Sequence, residues 1–285
     1  MKSLWNWYNS LSYRCRTSIS CALSFVGFIA TIMTILGVSI NNAVNNMLLS
    51  FLIIAGCILV ISMLIYLAIG LIYKDSVTLM IKKTPISIVC GNIFETSGWK
   101  VIGCDTYFDT RVDDDVISKK SLHGQLVLNH GRVDEIKAAV EKEAKKRNIK
   151  VNSDGRYEFE LGTIIKYEST KDNQTYLMLA MTKLNEFHQS HTNMAEFERM
   201  LMRMWTEIDR VYNSNEVVLP LLGSGISRFD DGPKSNDDLL RCILCTLNAS
   251  GVSLKTNVKI VIYGDKRDMF LYEYKDIFRQ IPKQR

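Results

Sequence analysis

At 285 residues, with 35 basic against 30 acidic side chains and a net charge of +5, the chain allows one domain of ordinary size plus an appendage. The basic residues are scattered among acids instead of gathered in a block, which gives nucleic-acid binding no support. Seven cysteines, odd in number and unpatterned, argue against a disulfide framework and for a reducing compartment, and 47% hydrophobic residues is high for a purely soluble chain.

That apolar excess lies at the N-terminus. Residues 18–40 and 47–73 are two uncharged apolar runs, each long enough to cross about 30 Å of hydrocarbon as a helix. The link Asn41-Asn42-Ala43-Val44-Asn45-Asn46 is short and polar, so the pair reads as an antiparallel transmembrane hairpin. Lys2, Arg14 and Arg16 precede the hairpin and Lys74, Lys82 and Lys83 follow it. The positive-inside bias places segment 1–17 and everything after the second span in the cytoplasm. The first run is long for a signal peptide and lacks a small-residue cleavage site.

From residue 75 to 285 the pattern is that of a cytosolic α/β domain. Strands are predicted at Ile86–Cys90, Lys100–Cys104, Tyr157–Tyr167, Gln174–Thr182, the run from Val217, and Val258–Tyr263. Helices are predicted at Asp134–Asn148, Thr192–Tyr212, from the N-cap Ser235 through Leu247, and at Tyr272–Ile281. Alternating strands and helices describe a three-layer α/β/α domain with a mixed, largely parallel sheet and ligand loops at the carboxyl ends of its strands. Cys242-Ile243-Leu244-Cys245 has CxxC spacing but lies on an apolar helix with no second pair, so it reads as core packing and no metal site is assigned.

The most informative stretch is Val217-Val218-Leu219-Pro220-Leu221-Leu222-Gly223-Ser224-Gly225-Ile226-Ser227-Arg228-Phe229. A buried strand breaks at two glycines flanking a serine, which lets backbone N–H groups converge on an anion without Cβ interference. No Gly-Lys-Ser/Thr follows, so this is no P-loop, and the third glycine of a dinucleotide fingerprint is missing.

Pro220 to Ile226 resembles the diphosphate- and ribose-gripping loop of macro domains. Gly91-Asn92-Ile93 stands where that family has Gly-Asp-Ile, with Asn92 replacing the acid that reads the adenine amine. Asp105, Thr106 and Asp109 replace the asparagines of the family's Asn-Ala-Ala-Asn turn, including the one used by catalytic members. The run from Asp113 to Gly124 carries charges where the family has glycines. A two-span hairpin joined to such a divergent domain resembles the membrane effector of type II Thoeris antiphage systems. The resemblance implies a receptor for an ADP-ribose conjugate of histidine made by a partner TIR enzyme, which then oligomerises and disrupts the bacterial inner membrane. It implies no resident cofactor and no catalytic residue.

The residues can be matched to such a ligand. Gly223, Ser224 and Gly225, with Ile226 beside them and the charge of Arg228, suit a diphosphate. Asn92, Ile93 and Phe229 suit adenine. Asp105, Thr106 and Asp109, with Lys119 and His123, suit a zwitterionic end. Bland readings stand beside these. Asp113-Asp114-Asp115 reads as a solvated turn, His123, His188 and His191 as surface or packed residues, and Arg228 as one end of a surface ion pair. A membrane-tethered ADP-ribose reader or ADP-ribosyl hydrolase, and a scaffold that has lost its ligand, are the alternatives.

Overall fold

The computed structural model describes residues 13–35, 56, 58–68, 76–184, 190–225 and 228–263. They fall into two compact units, one within the first 75 residues and one beginning at Ser76. The first unit holds helix α1 (Tyr13–Ile35) and a second helix over 58–68. Among the described residues no helix is long and apolar enough to cross a membrane, and the anticipated transmembrane hairpin is not found in them. Residues 36–40 of its first span, and 47–55, 57 and 69–73 of its second, lie outside them. So does the helix anticipated at Tyr272–Ile281.

The second unit is built on one mixed sheet. Its nine described strands are β1 (Ser76–Ile81), β2 (Thr84–Cys90), β3 (Trp99–Asp105), β4 (Ile164–Glu168), β5 (Thr175–Leu184), β6 (Ser190–Thr192), β7 (Val217–Pro220), β8 (Arg228–Phe229) and β9 (Val258–Ile262). The spatial order is β1-β2-β9-β7-β3-β5-β6-β8, with β4 paired to β5. The central run from β2 through β9, β7 and β3 to β5 is parallel. β1, β4 and β6 are added antiparallel.

Both faces of this sheet are covered, because side chains alternate along each strand and both sets are apolar. Ile102, Cys104, Tyr176, Met178, Ala180, Val218 and Val261 face a core that includes Ile136, Val140 and Ala144 of helix α3 (Val133–Lys146). Their neighbours Val101, Leu177, Leu179, Leu219 and Ile260 are also buried. Helix α4 (Met194–Val211) contacts β4 and β5, and α5 (Asn236–Ala249) contacts α4 and β1, closing the other side. Trp205 of α4 is fully buried and donates its indole N–H to Thr246 Oγ1 on α5 at 3.2 Å.

The helix starts follow from local chemistry. Ser235 accepts from Asp238 N–H while Asp238 reaches back to the Ser235 backbone, the reciprocal arrangement that the sequence pattern announces. Asn193 caps α4 through Glu196 N–H. The anticipated strand Tyr157–Tyr167 is corrected to Ile164–Glu168. Tyr157 makes only an isolated bridge to Val151, Phe159 N–H is drawn to Thr106 C=O at 2.9 Å, and Gly162 turns at φ +86 with Met200 C=O too close for any side chain. Between β3 and α3 stands a short helix α2 (Leu122–Gln125), continued by a π-turn (Leu126–His130) that carries no repeating apolar signal in the sequence.

Candidate ligand-binding site

β7 ends at Pro220, and Leu221 and Leu222 stay buried as the chain leaves the sheet. Gly223 then turns at φ +85, a conformation that favours glycine. A Cβ there would meet Leu239 Cδ2 at 3.0 Å and the rings of Phe197 and Phe229 at 3.4 Å. These two rings pack edge-to-face with centroids 5.6 Å apart. Ser224 donates both its N–H and its hydroxyl to Leu221 C=O, at 3.2 and 2.6 Å. Gly225 has open space on its Cα side.

Beside this loop is a cleft of about 650 Å³, within the range of small-molecule sites. It lies where the parallel strands end, as open α/β sheets dictate. Gly103 to Asp105 of β3, Met181 and Thr182 of β5, Pro220 of β7, and Val261 and Ile262 of β9 line it. Asn92 and Ile93 come from the turn after β2, and Ser121 to His123 with Gln125 from α2 and its cap. A β-bulge shapes the floor: Cys104 pairs with Ala180 but Asp105 with Thr182, leaving Met181 as the extra residue. Met181 Sδ lies 2.7 Å from where a Cβ on Gly103 would be, so glycine gives the thioether its place.

Seven of the residues singled out from the sequence line this cleft: Gly223, Ser224, Gly225, Asn92, Ile93, Asp105 and His123. The others stand elsewhere or serve another purpose. Thr106 is fully buried, and its Oγ1 finds no hydrogen-bond partner. Asp109 uses its carboxylate on the N–H groups of Thr110 and Arg111 at 2.7 and 3.0 Å and lies 3.6 Å from Arg156. Lys119 pairs with Asp114 at 3.2 Å on the surface. Phe229 supports the packed side of the Gly223 turn. The backbone of Arg228 lies in β8, paired with His191 of β6, while Ile226 lies outside the described residues.

Even within the cleft, several groups have local duties. Asn92 Oδ1 accepts from Phe94 N–H at 3.1 Å and its amide donates to Glu95 at 2.9 Å, so its side chain holds the turn after β2. Asp113 accepts from the N–H groups of Asp115 and Val116, and Asp114 from Lys119 N–H, so the acidic run is a hydrogen-bonded turn, and it is more than the solvated turn anticipated, since Asp114 and Asp115 line the cleft.

Asp105 is buried and accepts from Tyr107 N–H at 2.7 Å and Asp109 N–H at 3.2 Å. His123 Nδ1 is 3.9 Å from its Oδ2. Burial pushes the His123 imidazole below its ordinary range, opposed by the Asp105 and Asp109 charges and a backbone bond at Asp109. Burial also pushes the Cys104 thiol well up. The cleft thus offers an imidazole held toward its neutral form beside a hydrogen-bonded carboxylate, with the Gly223–Gly225 segment along its wall. Among the described residues no cluster of metal-ligating side chains occurs.

Sequence reading missed Met181, Thr182, Leu122, Gln125 and Tyr263, which also line the cleft. Tyr263 stands 82% exposed just past β9. Position at the carboxyl end of a central strand was the available signal, and the adjacency of β9 to β7 was not legible locally.

A mixed sheet covered on both faces, with a cleft and a glycine turn at its carboxyl end, has the architecture of a macro domain. A mutant of the Oceanobacillus iheyensis macrodomain with ADPR matches at a TM-score of 0.50 and 16% identity, over 72% of this chain and 98% of its own. Residues 86–263 match the model of the Thoeris protein ThsA macro domain, and the chain belongs to that family. The Thoeris protein ThsA of Bacillus amyloliquefaciens (strain Y2) is 27% identical over 277 residues, which cover 94% of this chain and 86% of the relative.

Proposed function

We propose that this chain is a Thoeris defence effector that binds an ADP-ribose derivative in the cleft at the carboxyl end of the sheet. The observation that carries the reading is the Gly223 turn at the mouth of a cleft of about 650 Å³. Membership of the ThsA macro domain family, and the ADPR named with a protein of the same fold, support it. The signal is an ADP-ribose conjugate of histidine supplied by a partner TIR enzyme. The diphosphate lies on the Gly223–Gly225 backbone and the nucleoside between Ile93 and the end of β9.

The N-terminal segment carries the output. Leu23, Phe25 and Phe28 on α1, and Leu59, Met63 and Leu67 on the 58–68 helix, are all exposed. Such a surface calls for lipid or for other copies of the chain. In this reading the N-terminal helices lie in the bacterial inner membrane, both termini are cytoplasmic, and ligand-bound copies assemble and breach the bilayer. Signalling requires that the ligand bind the assembled state more tightly, since equal affinity shifts nothing.

The Asp105–His123 pair in the cleft favours a second reading, an ADP-ribosyl hydrolase. Calorimetric titration of the full-length chain with ADP-ribose, NAD and the histidine conjugate separates the two. Selective binding of the conjugate, lost in Gly223→Glu, followed by conjugate-dependent dye leakage from vesicles, supports the effector. Release of free ADP-ribose from a modified substrate selects the hydrolase, and absence of binding to all three compounds rejects both.

A further inference from the structure

Two segments that line the cleft meet again behind it. The turn after β2 gives Asn92 and Ile93 to the cleft, and the next residue, Phe94, stacks on His130 with ring centroids 4.1 Å apart and planes 6° apart. His130 is the last residue of the π-turn that continues α2, whose Leu122, His123 and Gln125 line the cleft. One aromatic pair therefore ties both segments together.

The turn between β4 and β5 grips that pair. Asp172 Oδ2 lies 3.0 Å from His130 Nδ1. A carboxylate can only accept, so Nδ1 is the donor. The same oxygen accepts from Tyr176 OH at 2.5 Å, while Asp172 Oδ1 accepts from Gln174 N–H at 3.1 Å. Ser169 Oγ donates to His130 C=O at 2.5 Å, and Lys171 Nζ to Leu128 C=O at 2.8 Å. A π-turn leaves carbonyls poorly served by the helix ladder, and here side chains of one hairpin turn serve two of them. His130 and Asp172 remain only partly buried, at 27% and 23% exposure, so the pair can open without unfolding the core.

We propose that Phe94, His130 and Asp172 form a latch behind the cleft, which sets the spacing of the Asn92–Ile93 and Leu122–Gln125 segments and so regulates ligand affinity. Phe94, His130 and Asp172 are not among the residues that line the cleft. The latch acts by positioning: ordering both segments before binding removes that cost from the binding step. The inference rests on the cleft being the ADP-ribose site, and its test is built to fail separately from that reading.

The test is a double-mutant cycle on the full-length chain, with ADP-ribose as the titrant. His130→Phe keeps a ring for Phe94 and removes the donor, while Asp172→Asn keeps the turn acceptor and removes the charge. Each single variant is expected to weaken ADP-ribose binding about tenfold, and the double variant no more than either single one. Unchanged affinity in both single variants, or losses that simply add, would overturn the latch. If either variant does not fold, Phe94→Leu replaces it, since it removes the stack and leaves both partners. Amide hydrogen exchange on the free proteins gives a readout independent of ligand. Faster exchange in Asp172→Asn at both 92–96 and 121–125 supports the latch, and faster exchange confined to 169–172 overturns it. If wild type does not bind ADP-ribose, the cycle is run with the histidine conjugate; if it binds neither, the ligand assignment falls and exchange alone decides the latch.

Discussion

Leu239 Cδ2 of α5 stands 3.0 Å from the position that a Cβ on Gly223 would take. The candidate anion loop is therefore seated on the same helix whose Ser235–Asp238 box starts it. Gly223→Ala combines a φ of +85 with this contact, and a left-handed alanine alone costs about 1–2 kcal/mol. Denaturant unfolding should show a loss of at least that order, with ADP-ribose affinity falling as well. Gly225→Ala meets open space and should change stability by less than about 0.5 kcal/mol.

The contact that joins the two helices of the other layer should dominate stability. Trp205 is fully buried against α5, and Trp205→Ala should cost about 3–5 kcal/mol. Thr246→Val keeps the volume but leaves the indole N–H of Trp205 without its partner, a loss of about 1–3 kcal/mol. Equilibrium urea unfolding of both variants measures the two numbers.

A charged network joins α3 to α4. Arg147 donates to Glu143 at 2.8 Å and to Glu207 at 3.1 Å, and Arg210 reaches both acids at 3.1 and 2.9 Å. Burial raises the Glu207 pKa, but the bonds from Arg147 and Arg210 outweigh it and hold the carboxyl below its usual range. Arg147→Ala should destabilise by about 1.5–3 kcal/mol. The loss should shrink in about 1 M salt, where exposed members of the network are screened. Thermal melts at low and high salt provide the check.

His123 gives a pH signature. Its folded pKa is depressed by burial, so below the ordinary value of about 6.5 the unfolded chain takes up a proton that the folded chain refuses. The neutral form's contribution is complete above that value and is lost as pH falls through the window below it. Stability should therefore decline on acidification from about pH 6.5 more steeply in wild type than in His123→Gln. Unfolding free energies measured from pH 7.5 down to pH 5 decide this, and parallel curves would reject it.

Much of the site's chemistry was readable one segment at a time. The apolar run ending in Gly223-Ser224-Gly225 marks a strand and its loop because glycine and β-branched residues act locally. Ser235 to Asp238 marks a helix start for the same reason, and Ile136, Ala139, Val140 and Ala144 mark the inward face of α3 by spacing alone, with Ala139 only partly buried. What each group then does is not encoded in the spacing of apolar residues. Ser224 turns its hydroxyl on Leu221, Asn92 is occupied by Phe94 and Glu95, and Thr106 is sealed in the core. Single-segment patterns carry no information on which strands become neighbours. Only the placing of β9 beside β7 and of β7 beside β3, with a bulge at Met181, joins residues far apart in sequence into one cleft.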